Sequence, residues 1–271
     1  SAFKRMFRFG GIVQVQSMMS IVLSTIERAL AVPLLGPAAA GMFDLAKKLP
    51  ASISDLTGSF FTALMPAASY TAAQTDQDKP ALRHLYLSGA RYSAMLSALL
   101  CAIPVCFAAP LMIVWLGKPL ENVATCAVIF GLAMQIHLLT GPGTSLLRGI
   151  GRLSGDFYYL VPNIAFLALL LPAERAWQGA WTPLGIAVAV SLATALSALS
   201  VIAFAHATFE VPLKNYFRRV LAPCAIPYLA ALAIGPILNL ATANTSRVQG
   251  AMALAAACTV YGVAAVGLTW R

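Results

Sequence analysis

Eight long apolar runs, separated by short polar stretches, occupy most of the 271 residues. They cover roughly 9–32, 38–69, 82–116, 122–147, 157–171, 183–209, 220–240 and 248–270. A helix needs about 20 apolar residues to cross a bilayer, and a barrel strand only about 10. In lipid every backbone N–H and C=O must be satisfied within the protein, so only helices and closed barrels span it. Runs of this length therefore predict an all-α fold, a polytopic transmembrane bundle of about eight spans. A soluble alternative fails on its surface. Only 10% of the residues are charged and 60% are hydrophobic, against about 25% charged in a soluble domain.

Prolines and glycines mark the expected irregularities. Pro104 and Pro110 predict kinks in the third run, and Gly141-Pro142-Gly143 a break in the fourth. The fifth run is short enough to predict a tilted or partly re-entrant segment. Asp156 is placed to cap its start, and Asn163, after Pro162, to satisfy a backbone group that the proline frees. The longest loop, Tyr70 to Arg83, is too short for an extramembrane domain. Ser1 has no Met before it, which predicts a fragment or a trimmed terminus, and the apolar run behind the basic start is too long for a cleaved signal.

Loop charge sets the expected orientation. With the N-terminus in the cytoplasm, the inner segments hold Lys4, Arg5, Arg8, Lys79, Arg83, Arg148, Arg152, Lys214, Arg218, Arg219 and Arg271. The outer ones hold only Lys118, Arg175 and Arg247, which predicts both termini inside. His84 and Arg91 fall near the inner interface. Pro212 to Arg219 reads as a basic surface piece attracted to anionic lipid, or equally as a solvated loop. The net charge of +9 is thus spent on topology; the basic residues form no basic-aromatic patch of the kind that binds nucleic acid. Cys101, Cys106, Cys126, Cys224 and Cys258 lie in apolar runs without a CxxC pair and read as small hydrophobes. No HExxH, GxxxxGK[ST] or GxSxG occurs, so neither an enzyme nor a cofactor is expected.

Some ionisable residues sit where lipid should forbid them. Glu27 and Arg28 lie in the outer third of the first span. Asp44, Lys47 and Lys48 enter the second from the same side, and Asp55 lies nearer its middle. A charge at mid-bilayer costs at least about 2.5–3.5 kcal/mol, so such groups pair or face a wet cavity. At about 100° per residue, Asp44, Lys48, Ala51, Asp55, Gly58 and Thr62 share a stripe. Gln16, Ser20, Ser24 and Glu27 form another on the first span. Consecutive helices are usually neighbours. A polar cavity between spans one and two, open on the outer side, is expected; a structural lock pairing Glu27 with Lys48 and Arg28 with Asp44 is the alternative. His137 reads as a satisfied interior histidine.

The run from Glu27-Arg28 through Leu35-Gly36, Gly41, Phe43 and Ala46 to Lys47-Lys48 resembles a passage of the polysaccharide flippases. These belong to the multidrug, oligosaccharidyl-lipid and polysaccharide exporter superfamily. Met65-Pro66-Ala67-Ala68-Ser69 and Leu147-Arg148-Gly149-Ile150-Gly151-Arg152 resemble two further turns of that family, and the likeness spans about 9–163. It implies a lobe of six helices over 1–209, resembling the second lobe of a two-lobe flippase, with two extra helices over 210–271. A first lobe or second chain would then be a partner.

The resemblance further implies export, across a cell inner membrane by alternating access, of a polyprenyl-diphosphate-linked oligosaccharide such as a lipopolysaccharide precursor. Arg28, Lys47, Lys48 and Gln16 are the expected substrate-binding residues. Glu27, Asp44 and Asp55 would orient them or take a coupling ion. A cation-coupled drug or metabolite exporter of the same superfamily and a non-transporting membrane scaffold remain as rivals. The wall's charge would separate the first two, and the absence of any cavity would favour the scaffold.

Overall fold

The computed structural model describes residues 10–269 apart from 12–13, 16, 20, 24, 26–31, 63, 75–78, 119, 179–181 and 243–246. Every described residue between 10 and 35 is helical. Gly36, at φ 79°, interrupts the chain before α1 (Pro37–Thr62), a conformation glycine adopts without a Cβ clash. Then come α2 (Leu64–Gln74), α3 (Lys79–Cys106), α4 (Ala108–Leu116), α5 (Glu121–Leu138) and α6 (Gly141–Gly149). A 3-10 turn, Leu153–Asp156, leads into α7 (Phe157–Gln178) and α8 (Pro183–Phe209). The short α9 (Leu213–Tyr216) continues through a π turn, Phe217–Leu221, into α10 (Ala222–Thr242), and α11 (Arg247–Thr269) ends the bundle. No strand occurs among the described residues, so the molecule is an all-α bundle.

Five helical stretches among the described residues are long and apolar enough to cross a membrane: Pro80–Cys106, Glu121–Gly149, Pro183–Phe209, Leu213–Thr242 and Arg247–Gly267. Phe157–Ala173 is apolar but shorter. α1 has the length, but Asp44, Lys47, Lys48 and Asp55 dilute its hydropathy.

Two tiers of apolar packing organise the centre. In one, Phe43 and Ala46 of α1 meet Met112 of α4, Ala127 and Phe130 of α5, Leu160 and Leu167 of α7, and Ile186 of α8. Phe43 and Phe130 touch edge to face with centroids 5.0 Å apart. In the other, Ala68 of α2 joins Tyr86 of α3, Leu146 and Leu147 of α6, Phe209 of α8 and Tyr216 of α9. The second tier marks the end of the bundle that carries Arg83, Arg148, Arg152, Lys214, Arg218 and Arg219. Gly149 lets α2 and α6 cross closely there: a Cβ would stand 2.7 Å from both Ala68 Cβ and Met65 O. Ser69 Oγ donates across the same crossing to Gly149 O at 2.9 Å.

α10 and α11 lie outside this centre, against α3 and α4, around Ala102, Phe107, Leu238 and Tyr261. Only 22% of each of these two spans is buried, against 50–61% of the three preceding ones. Their exposed Leu229, Leu232, Ile237 and Val263 suit a lipid boundary. At the end opposite the basic one, Arg247 donates to Val114 O at 2.9 Å and Trp115 O at 2.6 Å. It thereby satisfies carbonyls left open at the C-terminus of α4.

Some sequence expectations hold and others change. The third run breaks at Phe107, as the expected irregularity at Pro110 implies, because Pro110 has no N–H for Cys106 O; Pro104 stays inside α3. The fourth breaks at Leu139–Thr140, immediately before the Gly-Pro-Gly triplet as expected, and Pro142 sits in the first turn of α6. The fifth run is a 22-residue helix, longer than its apolar core, because Pro162 and Pro172 are both accommodated. The expected loop Tyr70–Arg83 is helical on both sides of residues 75–78. Lys214, Arg218 and Arg219 belong to the helical lead into α10 and not to a loop. The cysteines are free, with Cys101 and Cys126 buried and the others half-buried.

Candidate functional site

Two cavities lie along α1 and form a groove whose other wall includes Ser17, Ile21 and Thr25. The first, about 540 Å³, is lined by Thr25 and by Gly41, Phe43, Asp44, Leu45, Lys47, Lys48 and Ala51. The second, about 480 Å³, takes Ser17, Ile21, Ser54, Gly58 and Phe61. It adds His137 from α5, Thr140, Thr144 and Arg148 from the α6 region, Asp156, and Tyr159 from α7. At 1.5 Å per residue, Asp44 to Phe61 covers about 26 Å, close to the thickness of the hydrocarbon core. The two cavities thus succeed one another along α1 from one end of the bundle towards the basic end.

Helix periodicity explains the wall. Ala40, Phe43, Ala46, Pro50 and Thr57 are buried, and this face packs inward on α5. Asp44 and Lys47 are left half-buried at its edge, and Lys48 and Ala51 exposed beyond. Among the described residues the first cavity carries two cations against one carboxylate. Asp55 departs from expectation. It is exposed and lines neither cavity, because Ser54 and Gly58 are the residues α1 turns toward the second one. Gln16, Glu27 and Arg28, with the pairings expected of them, lie outside the described residues.

The basic end of the groove holds features that the sequence did not reveal. Arg148 Nε donates to Asp156 Oδ2 at 2.8 Å, with the arginine side chain 41% and the carboxylate 12% exposed. Asp156 therefore serves as an ion-pair partner, instead of the expected helix cap. The turn Leu147–Arg152 sets this pair: Ile150 N bonds Leu146 O, Arg152 N bonds Leu147 O, and Gly151 takes φ 78°. His137 Nδ1 is buried without a hydrogen-bond partner, so the expectation of a satisfied histidine is corrected. Its ring lies 4.9 Å from that of Tyr159 and borders the cavity. Asn163 is fully buried with neither Oδ1 nor Nδ2 bonded, so it does not serve the backbone near Pro162. The spacing of His137, Thr140 and Thr144 was a readable signal, since one face of a helix should carry them; the Leu139–Thr140 break obscured it.

The arrangement offers fixed charge and hydroxyl groups along a passage. Among the described residues no three His, Cys, Asp or Glu gather to hold a metal ion. Residues 1–124 match the family model described as polysaccharide biosynthesis protein. The matched stretch contains the whole of the first cavity's lining and stops near the start of α5. No curated protein and no solved structure matches the chain. The match and the apolar helices together support a polysaccharide-related, multi-pass membrane protein.

Proposed function

We propose that the chain forms one wall of a passage that moves an oligosaccharide carried on polyprenyl diphosphate across an inner membrane, and that it carries out no covalent chemistry. The observation that carries the reading is the pair of cavities along α1, with Lys47 and Lys48 in the lining of the first. A diphosphate leaving water needs fixed positive charge, because charge-assisted contacts are the strong ones. The sugars need hydroxyl partners, and Ser17, Ser54, Thr140 and Thr144 are the candidates in the second cavity. The prenyl tail stays in lipid alongside the groove. Asp44 orients the lysines or takes a coupling ion; Arg28, Gln16 and Glu27, expected from the sequence to share these roles, lie outside the described residues. Asp55 has no place in this mechanism, given its exposed position.

Alternating access requires a second body to rock against this one. A second lobe, on the same or another chain, faces the groove, and both ends of the chain lie in the cytoplasm. Two cavities favour transport over a scaffold, and a described lining with more cations than carboxylates favours an anionic substrate over a cation-coupled exporter.

The test is the double substitution K47Q/K48Q in a cell whose polysaccharide export requires this chain. Gln keeps length and hydrogen bonding and removes charge. The expected outcome is loss of export at near-normal membrane abundance. Normal export would refute the cationic passage, and loss of the protein from the membrane would support a structural lock instead.

A further inference from the structure

A second charged recess lies at the basic end, outside the groove. It is a crevice of about 360 Å³ between the first turns of α3 and the α8–α9 connection. Arg83 and His84 stand on one wall, Asn215 and Arg219 on the other, and Leu87 and Phe209 form an apolar floor. Arg83 and Asn215 are half-buried, His84 and Arg219 exposed, and Leu87 and Phe209 buried. Two guanidinium forks on facing walls match a phosphate, which accepts from both. The amide of Asn215 adds a donor, and the N-terminal end of α3 adds the positive end of a long helix. Glu210 also borders the crevice and offsets one charge. The recess is therefore no diffuse basic patch; an anion gains there only by direct contact with the arginines.

The rim indicates where the phosphate comes from. Leu213 is 73% exposed and Phe217 63% exposed. They are four residues apart and so share one side of the helical lead into α10, with Lys214 and Arg218 sharing the next side. Large exposed apolar side chains alternating with cations suit the boundary between headgroups and acyl chains. Water alone would disfavour them. We propose that this crevice binds the phosphate of an anionic phospholipid, with the acyl chains against Leu213 and Phe217, and so anchors α3 to the α8–α10 corner. The site is separate from the α1 groove and stands whether or not the chain transports anything.

The experiment uses the whole chain in detergent micelles, titrated with phosphatidic acid and, separately, with diacylglycerol of the same acyl chains, and read by native mass spectrometry. Phosphatidic acid should bind with a saturable stoichiometry and diacylglycerol should not. R83Q/R219Q should weaken it by about tenfold or more, the loss of two charge-assisted contacts. R83K/R219K should recover part of the affinity, and E210Q should tighten binding. K214Q/R218Q, on the outer side of the lead, should change it by no more than about twofold. If R83Q/R219Q fails to fold, R219Q alone, at an exposed position, carries the test. Inorganic phosphate and an acidic peptide serve as competitors. Displacement by phosphate at concentrations equal to the lipid's would assign the site to soluble phosphate esters and overturn the lipid source. Displacement by the acidic peptide alone would assign it to a protein partner. Equal effects of the inner and outer pairs, or unaltered binding by R83Q/R219Q, would overturn the crevice itself.

Discussion

Placing a methyl group at the α2–α6 crossing gives a quantitative test of the packing that closes the basic end. In Gly149→Ala the new Cβ would sit 2.7 Å from Ala68 Cβ and 2.7 Å from Met65 O. Ordinary carbon contacts lie near 3.5–4.0 Å, so the helices must part by about 1 Å. Neither obstacle is a flexible side-chain tip. Overpacking of this kind costs about 1–3 kcal/mol. Parting also stretches the bond from Ser69 Oγ to Gly149 O, worth about 1 kcal/mol. The gain in helix propensity from Gly to Ala returns at most about 1 kcal/mol. The net expectation is a loss of about 1–3 kcal/mol. Gly58→Ala is the control, since nothing lies within 4 Å of its Cβ position; it should be neutral or mildly stabilising. Adding Ala68→Gly to Gly149→Ala should rescue only part of the loss, because Met65 O remains. Unfolding of the purified chain in mixed micelles, followed by circular dichroism against denaturing detergent, measures all four proteins. A Gly149→Ala chain as stable as the parent, or a Gly58→Ala chain that loses more, would refute the reasoning.

Three further outcomes follow from single contacts. Phe130→Ala, which empties a buried site against Phe43, should cost about 3–5 kcal/mol in the same assay. Arg247→Ala should cost about 1–2 kcal/mol, discounted for exposure, and should speed hydrogen exchange at the end of α4, where its two acceptors lie. Gln135→Leu breaks the bond from Gln135 Nε2 to Ser97 Oγ at 3.0 Å and removes the acceptor of Tyr228 at 3.5 Å. It should cost about 1–2 kcal/mol, and a Ser97→Ala background should reduce that loss.

What the sequence disclosed depended on whether the signal was local. Pro183–Phe209 was delimited to the residue because Thr182, which accepts from Gly185 N at 3.0 Å, and Pro183 are local start signals. The neighbourhood of the first helical segment and α1 agrees with the cavities that Ser17, Ile21 and Thr25 share with α1, while the stripe Gln16, Ser20, Ser24 and Glu27 that suggested it lies outside the described residues. The depth to which Asp55 would be used was not legible. The 100° stripe that held it also held exposed Lys48 and Ala51, and the direction of the core is set by Phe43 meeting Phe130 across 87 positions. The open Nδ1 of His137 was hidden for the same reason, since tertiary packing brings its ring against Tyr159; the Arg148–Asp156 pair is local, closed across eight residues by the turn Leu147–Arg152. The break at Phe107 has no proline or glycine of its own. Pro110, three residues on, supplies the cause, since it has no N–H for Cys106 O; Phe107 then packs against Tyr261 with ring centroids 5.9 Å apart.

The central claim is that the groove along α1 is a wet passage that admits a lipid-linked anion. Cysteine protection tests it most directly. Single cysteines are placed at Ser54 and Thr144, in the second cavity, and at Leu199, an exposed apolar position on α8, in a chain whose native cysteines are replaced. A charged thiol reagent should label S54C and T144C and leave L199C unlabelled. A polyprenyl-diphosphate oligosaccharide should protect the first two, and phosphatidic acid should not. S54C and T144C reacting no faster than L199C, or unprotected by the lipid-linked sugar, would contradict the account.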